Sequence, residues 1–302
     1  MHKSVLLNEC IEYLNLNDKS VIVDCTLGYG GHSSEILKRI PNGHLYSFDQ
    51  DINAIEYSKE KLNSISTNYN IINSNFVNIK NELSKLNVTK VDGILYDLGV
   101  SSPQLDEGDR GFSFHKDARL DMRMDQNQKL SAYEIVNNYT YEQLINIFYK
   151  YGEEKYSSSI AKGIIDNRPI TTTLELVDVI RNNVPAKYAR EKHPARKIFQ
   201  AIRIEVNDEL NVFKQSLYDS LELLNIGGRI CVITFHSLED KICKDIFKEV
   251  TNVKQELKNM PFIPENLLPN FKIVKVIEPS KNELDENPRA RSAKLRVIER
   301  VK

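Results

Sequence analysis

Apolar positions along this chain follow two periods, and the change between them divides it. Val5, Leu6, Leu7, Ile11 and Leu14 lie at helical spacing, and Asn17, Asp18 and Lys19 then turn the chain into a short apolar run at residues 21 to 24. Short runs and helical stretches alternate from there. Strands are predicted at 44 to 48, 69 to 73 and 91 to 96, with helices at about 33 to 40 and 53 to 62. Four such strand and helix repeats predict an α/β fold, Rossmann-like, with a doubly wound, mostly parallel sheet.

Beyond about residue 107 the alternation stops and helical periodicity takes over for roughly a hundred residues. Ser131 with Glu134, Thr140 with Gln143, and Thr172 with Glu175 have the spacing of capping boxes. Tyr141, Leu144, Ile145, Phe148 and Tyr151 form one apolar face. From Ile198 to Leu224 apolar residues recur every three or four positions, so one helix is expected to leave this stretch and continue with little break. Gly227 and Gly228 are expected to end it, before a strand at 229 to 234 and a closing antiparallel pair at 271 to 277 and 295 to 300. The proline-rich stretch 260 to 269 has no assignment. The domain reading is therefore a core of residues 1 to 106 and 207 to 302, interrupted by an all-helical insertion at 107 to 206. An insertion after the fourth strand is expected at the carboxyl edge of the sheet, where ligands bind, so it is read as a substrate-recognition domain.

Composition narrows the setting more than the chemistry. The 302 residues, 41% hydrophobic and 27% charged, can bury a substantial core. No apolar run is long enough to cross a bilayer and the N-terminus lacks a signal-peptide pattern, so a cytoplasmic location is expected. Cys10, Cys25, Cys231 and Cys243 form no C-x-x-C pair and are read as buried small hydrophobes, with no metal site expected. A net charge of -1 gives no global sign of a polyanionic partner. Locally, Arg110, Lys116, Arg119 and Arg123 cluster at the entry to the insertion. Lys187, Arg190, Lys192, His193, Arg196, Lys197 and Arg203 cluster near its exit, where acids are sparse enough to favour contact with phosphate groups.

The candidate chemistry begins at residues 21 to 32, VIVDCTLGYGGH, a strand, a glycine turn and the start of a helix. Glycines without a Cβ allow close approach of a ligand, and a helix N-terminus offers free N–H groups. Asp49, at the end of the second strand, is placed to reach ribose hydroxyls, whereas Asp51 is better suited to cap the next helix. Counting from Gly28 and Gly30, the third glycine of a dinucleotide fingerprint is replaced by Ser33. That weakens a pyrophosphate reading and leans toward a smaller cationic nucleoside such as S-adenosylmethionine, with Asp24 near its amino acid end.

The fourth strand ends in ILYDLGVSSPQL at residues 94 to 105. Together with GYGGHS, RGFSF, LDMRMD, FQAIRIEVN, FHSLED and ENPRARSAKLR, in this order from His2 to Arg300, it resembles the bacterial ribosomal RNA small subunit methyltransferase H, or MraW, family. The resemblance implies a class I methyltransferase that uses S-adenosyl-L-methionine to methylate the N4 amine of a cytidine in the decoding region of 16S rRNA within the small ribosomal subunit. It places cofactor-binding positions at Gly30, Gly31, His32, Asp49, Phe76, Asp97 and Gln104, beside Asp24 and Gly28 from the turn. A homodimer is left open.

Methyl transfer to an amine is an in-line displacement, so positioning carries most of the catalysis. The N4 lone pair is delocalised into the ring, and acceptors for its hydrogens favour a more nucleophilic nitrogen. Asp97 or the Leu98 carbonyl suits that role, and the catalytic set is read as Asp97, Ser101, Ser102 and His236, the last sharing the sheet edge with Asp97. The motif departs from the N/D/S-P-P-aromatic common in amino-methyltransferases, since no aromatic follows to stack on the base. A cytosine C5 enzyme would need a thiolate at this edge, and no cysteine lies between Cys25 and Cys231. Arg110, Phe112, Arg123, Arg196, Arg289 and Arg291 are the candidate substrate-binding residues, with Phe114 and His115 also able to stack on a base. Two other readings differ in outcome: a DNA amino-methyltransferase would label duplex DNA, and a non-catalytic RNA-binding factor would tolerate loss of Asp97.

Overall fold

The computed structural model describes residues 4–101, 104, 108–253, 255–257 and 262–302. Along the chain, α1 (Leu7–Tyr13) leads to β1 (Val21–Asp24), α2 (Gly31–Leu37), β2 (His44–Asp49), α3 (Ile52–Asn63), β3 (Tyr69–Asn73), α4 (Ile79–Lys85) and β4 (Val91–Asp97). Among the described residues the chain continues with α5 (Ala132–Asn138), α6 (Tyr141–Lys150), α7 (Ser157–Asp166), α8 (Thr173–Asn182), α9 (Ala186–Glu191) and α10 (Pro194–Asn207). The chain closes with α11 (Glu209–Leu223), β5 (Leu224–Thr234), α12 (Ser237–Thr251), β6 (Phe271–Ile277), α13 (Lys281–Glu286) and β7 (Lys294–Arg300). Among the described residues, no helix is long and apolar enough to cross a membrane.

Two compact units result, one of Met1–Gly99 with Leu210–Lys302 and one of Val100–Glu209. The first holds a seven-stranded sheet in the order β3-β2-β1-β4-β5-β7-β6. Strands β1 to β5 pair in parallel, and β7 runs antiparallel to both β5 and β6. This is the class I methyltransferase arrangement, with the helical insertion between β4 and β5. Strand order reverses between β1 and β4, which makes their carboxyl ends the topological switch point.

Period-two alternation sorts the central strands between two apolar layers. Val23, Ile94, Tyr96, Ile230 and Val232 pack with Phe213, Leu217, Ile246 and Phe247 from α11 and α12. Ile22, Leu95, Cys231 and Ile233 pack with Leu6, Cys10, Ile36, Leu37 and Leu62 from the α1 to α3 side. All four cysteines are buried in these layers as free thiols. Each fully buried Leu or Ile contributes about 1.5–3 kcal/mol.

The second unit closes around Ile135, Leu144, Phe148, Ile160, Leu176, Ile180, Ile198 and Ile202. α5, α6 and α8 start where hydroxyl caps predict. Ser131, Thr140 and Thr172 each form a reciprocal capping box with the glutamate or glutamine three residues on.

One expectation is sharpened and one corrected. The helix expected to continue from residue 198 with little break has its break at the single residue Asp208, which takes a left-handed conformation (φ 48°) and separates α10 from α11. Arg203 spans the break with a two-pronged contact to Glu209, 2.7 and 2.9 Å. Gly227 and Gly228 do not end a helix: they lie inside β5, where residues 224 to 229 oppose only Val91 to Gly93. The surplus residues loop outward, and Gly227 takes φ +81° to let them do so.

Candidate active site

Three adjacent parallel strands, β2, β1 and β4, each end on an aspartate: Asp49, Asp24 and Asp97. Asp24 is fully buried and accepts from the Ser33 hydroxyl (2.7 Å) and from Thr26 N (3.1 Å). Burial nonetheless raises its pKa, the hydroxyl and amide offsetting part of the cost. Ser33, where a dinucleotide site would carry glycine, thus supplies a partner for the acid at the strand end, and its hydroxyl also meets that of Ser47 at 2.9 Å.

The glycine turn is tied down from both sides. Gly28 and Gly30 take φ +49° and +68°, and Gly28 N donates to Asp49 Oδ2 at 2.8 Å. The other Asp49 oxygen accepts from Asp51 N at 2.9 Å, while Asp51 caps α3 through Asn53 N. Burial pushes Asp49 up to about 6. Asp49 therefore first holds the turn in shape, with remaining lone pairs on its oxygens for a further donor. Ser58 on α3 donates to Gly28 O at 2.7 Å, and a Cβ at Gly31 would stand 1.9 Å from Ser4 Oγ. The turn is shaped by these contacts, since α2 is only seven residues long.

Asp97 is the most perturbed of the three. Its backbone N–H donates to Thr26 Oγ1 at 2.7 Å, its carboxyl keeps 25% of its surface exposed, and Oδ2 lies 3.5 Å from His32 Nδ1. Burial, with Asp24 and Glu239 nearby, pushes it up to about 8. His32 is buried, contacts Val5 O through Nε2 at 3.2 Å, and is driven down to about 4 by burial. Among the described residues, no lysine or arginine pairs with Asp24, Asp49 or Asp97. Phe76, in the turn after β3, meets Tyr96 of β4 edge-on at 5.6 Å and remains partly exposed.

This donor set fits S-adenosylmethionine: a cation and hydroxyls to give, opposite carboxylates with acceptor capacity and no cation of their own.

His236 has a structural task at this edge. It is the N-cap of α12 and forms a capping box with Glu239, its Nδ1 facing Glu239 N at 3.4 Å. Nε2 is buried and lies 3.1 Å from Glu239 Oε1 without the alignment of a hydrogen bond. Arg289 and Arg291 stand exposed on the turn before β7, anchored by buried Ala290.

Within the helical unit, Gln104 Oε1 accepts from Ser101 N (3.0 Å) and Gln104 N donates to Ser101 Oγ (3.4 Å). Ser102 lies outside the described residues. Phe112 is buried in the unit's core with Arg110 over its ring, so it is a packing residue as the fold stands; base stacking would need a face it does not expose. Arg123 pairs with Asp121 and donates to Gln126 O and Gln128 O, which fixes a loop with the guanidinium meant for phosphate. Arg196 is exposed on α10, three residues after His193, whose ring meets those of Phe114 and His115 in one partly exposed aromatic group.

Thr26, Ser58 and the Val5 carbonyl were not singled out from sequence. Thr26 stood inside the motif, and Ser58 breaks the buried stripe of Ala54, Ile55 and Leu62 on α3, a signal that a polar contact was being made there.

A family model described as the MraW methylase family matches residues 1–301. The chain is 52% identical over 307 residues to the ribosomal RNA small subunit methyltransferase H of Exiguobacterium sibiricum, covering 100% of this chain and 98% of that one. Among solved structures, an rRNA methylase from Streptococcus thermophilus aligns at TM-score 0.45 and 11% identity over 100% and 99% of the two chains. A Streptococcus mutans protein in complex with SAH aligns at TM-score 0.45 and 14% identity over 99% of each.

Proposed function

Because the chain belongs to the MraW methylase family, we propose that it is the S-adenosylmethionine-dependent methyltransferase of small-subunit 16S rRNA and that its acceptor is the N4 amine of a cytidine in the decoding region. The observation that carries the site assignment is the convergence of three strand-end carboxyls on the switch point without a basic partner among the described residues. When bound, the cofactor supplies an electrophilic methyl group. Asp49 faces its ribose hydroxyls, Phe76 packs on the adenine, and the glycine turn admits the chain of the nucleoside, while Asp24, expected near the amino acid end but fully buried, instead shapes the strand end through Ser33 and Thr26. Asp97 accepts hydrogens from N4, which draws the nitrogen lone pair out of the ring and toward the methyl carbon. His236 holds the start of α12 at the same edge.

The helical unit is the RNA-holding part in this reading, supported by the basic exit segment around Arg196 and the adjoining aromatic group; Arg289 and Arg291 add phosphate contacts from the core. Purified protein, labelled S-adenosylmethionine and small subunits from a strain lacking the gene should yield N4-methylcytidine on nucleoside mass spectrometry. Label in duplex DNA instead, or none in folded protein, defeats the proposal.

A further inference from the structure

A backbone carbonyl only accepts hydrogen bonds, so the 3.2 Å contact between Val5 O and His32 Nε2 places the ring proton on Nε2. Buried and held near a pKa of about 4, the ring carries only that proton at neutral pH. Nδ1 is then a bare lone pair, and it faces Asp97 Oδ2 at 3.5 Å. A lone pair against a carboxylate oxygen is repulsive unless a proton lies between them.

The other groups around Asp97 make the ionised form worse. Asp24 at the end of β1 and Glu239 on α12 are both acids, and Cys10 on α1 is a buried thiol close enough to feel Asp97. Thr26 Oγ1 accepts from the Asp97 amide and points its own proton toward Asp24, 3.4 Å away, so it gives nothing to the Asp97 carboxyl.

Resting on the cofactor reading above, we infer that Asp97 is a neutral carboxylic acid in the cofactor-free protein, its proton directed at His32 Nδ1, and that arrival of the cationic methyl donor expels this proton to solvent. The exchange balances: one proton leaves as one positive charge enters, and the carboxyl becomes a carboxylate. His32 acts as a positioning residue, held by the Val5 carbonyl in the tautomer that favours the acid form. The upward shift of Asp97 to about 8 has the same sense. The acceptor for the N4 hydrogens then comes into being only after the donor is seated, which orders binding as cofactor first and RNA second.

Titration calorimetry of the whole chain in buffers of different ionisation enthalpy reads the proton directly. With S-adenosylmethionine near pH 7, close to one proton is released per site, and with the uncharged thioether of S-adenosylhomocysteine clearly less. Affinity for S-adenosylmethionine strengthens up to about tenfold per pH unit below about pH 8 and levels off above it. Asp97→Asn abolishes the release and flattens the profile. His32→Gln, whose amide can donate to Asp97, moves the midpoint to lower pH, a change that loss of packing alone does not produce. If Asp97→Asn fails to fold, the wild-type and His32→Gln measurements still decide. Tight binding of S-adenosylmethionine with buffer-independent heat and pH-independent affinity overturns the inference and leaves the cofactor reading intact; absence of binding by either nucleoside overturns both.

Discussion

The turn at residues 24 to 32 and the helix starts of the inserted unit use the same residue types to opposite ends. At Ser131, Thr140 and Thr172, hydroxyl and carboxyl groups satisfy backbone N–H groups in closed reciprocal pairs. At the glycine turn, α2 begins on left-handed Gly30 with no side-chain cap, and the nearby acids keep acceptor capacity beyond their backbone partners. Polar groups in the first region are spent on the fold. In the second they are raised in pKa by burial without a counter-ion, a cost the folded chain bears until a ligand relieves it.

That contrast can be broken by substitution. Asp97→Ala should lower methyl transfer about 10²–10⁴-fold in single-turnover assays with small subunits; a loss below about tenfold would mean that the most strained acid is not where the chemistry occurs. Asp49→Asn should come next, weakening S-adenosylmethionine binding by about tenfold or more by calorimetry, since the charge is lost (~1.4 kcal/mol) and the amide NH2 must face either Gly28 N or Asp51 N, where only an acceptor fits. Ser131→Ala should have the smallest effect, costing about 1 kcal/mol in denaturant unfolding and leaving the cofactor Kd unchanged. A cap variant that altered cofactor affinity would erase the distinction between the two regions.

Legibility from sequence follows the same division. The central strands were readable because each is a short apolar run buried on both faces, and the edge strand β3, only partly buried, was found at its observed limits from its apolar run alone. Capping boxes were readable because their spacing is local. At Asp208 the domain boundary was legible but the left-handed break was not, because apolar periodicity runs straight through it, and the β5 glycines escaped because a bulge and a helix stop share the same residue type. At the site, strand-end acids were legible by position, and Asp51 was correctly separated from Asp49 as the helix cap. The prior commitment of Asp49 to Gly28, and of His236 to Glu239, depends on distances that no spacing along the chain reveals.

The placement of the insertion also sets the order of events during synthesis. β4 and β5 are neighbours at the centre of the sheet, yet more than a hundred residues separate them along the chain. At about 5–20 residues per second, a ribosome making this protein leaves β4 as an open edge for on the order of ten seconds before its partner emerges. That edge carries Ile94, Leu95 and Tyr96, all buried in the finished molecule. The nascent half-sheet therefore holds an unpaired apolar edge for longer than any other strand pairing in the sheet requires, and the sheet closes only once β5 has emerged.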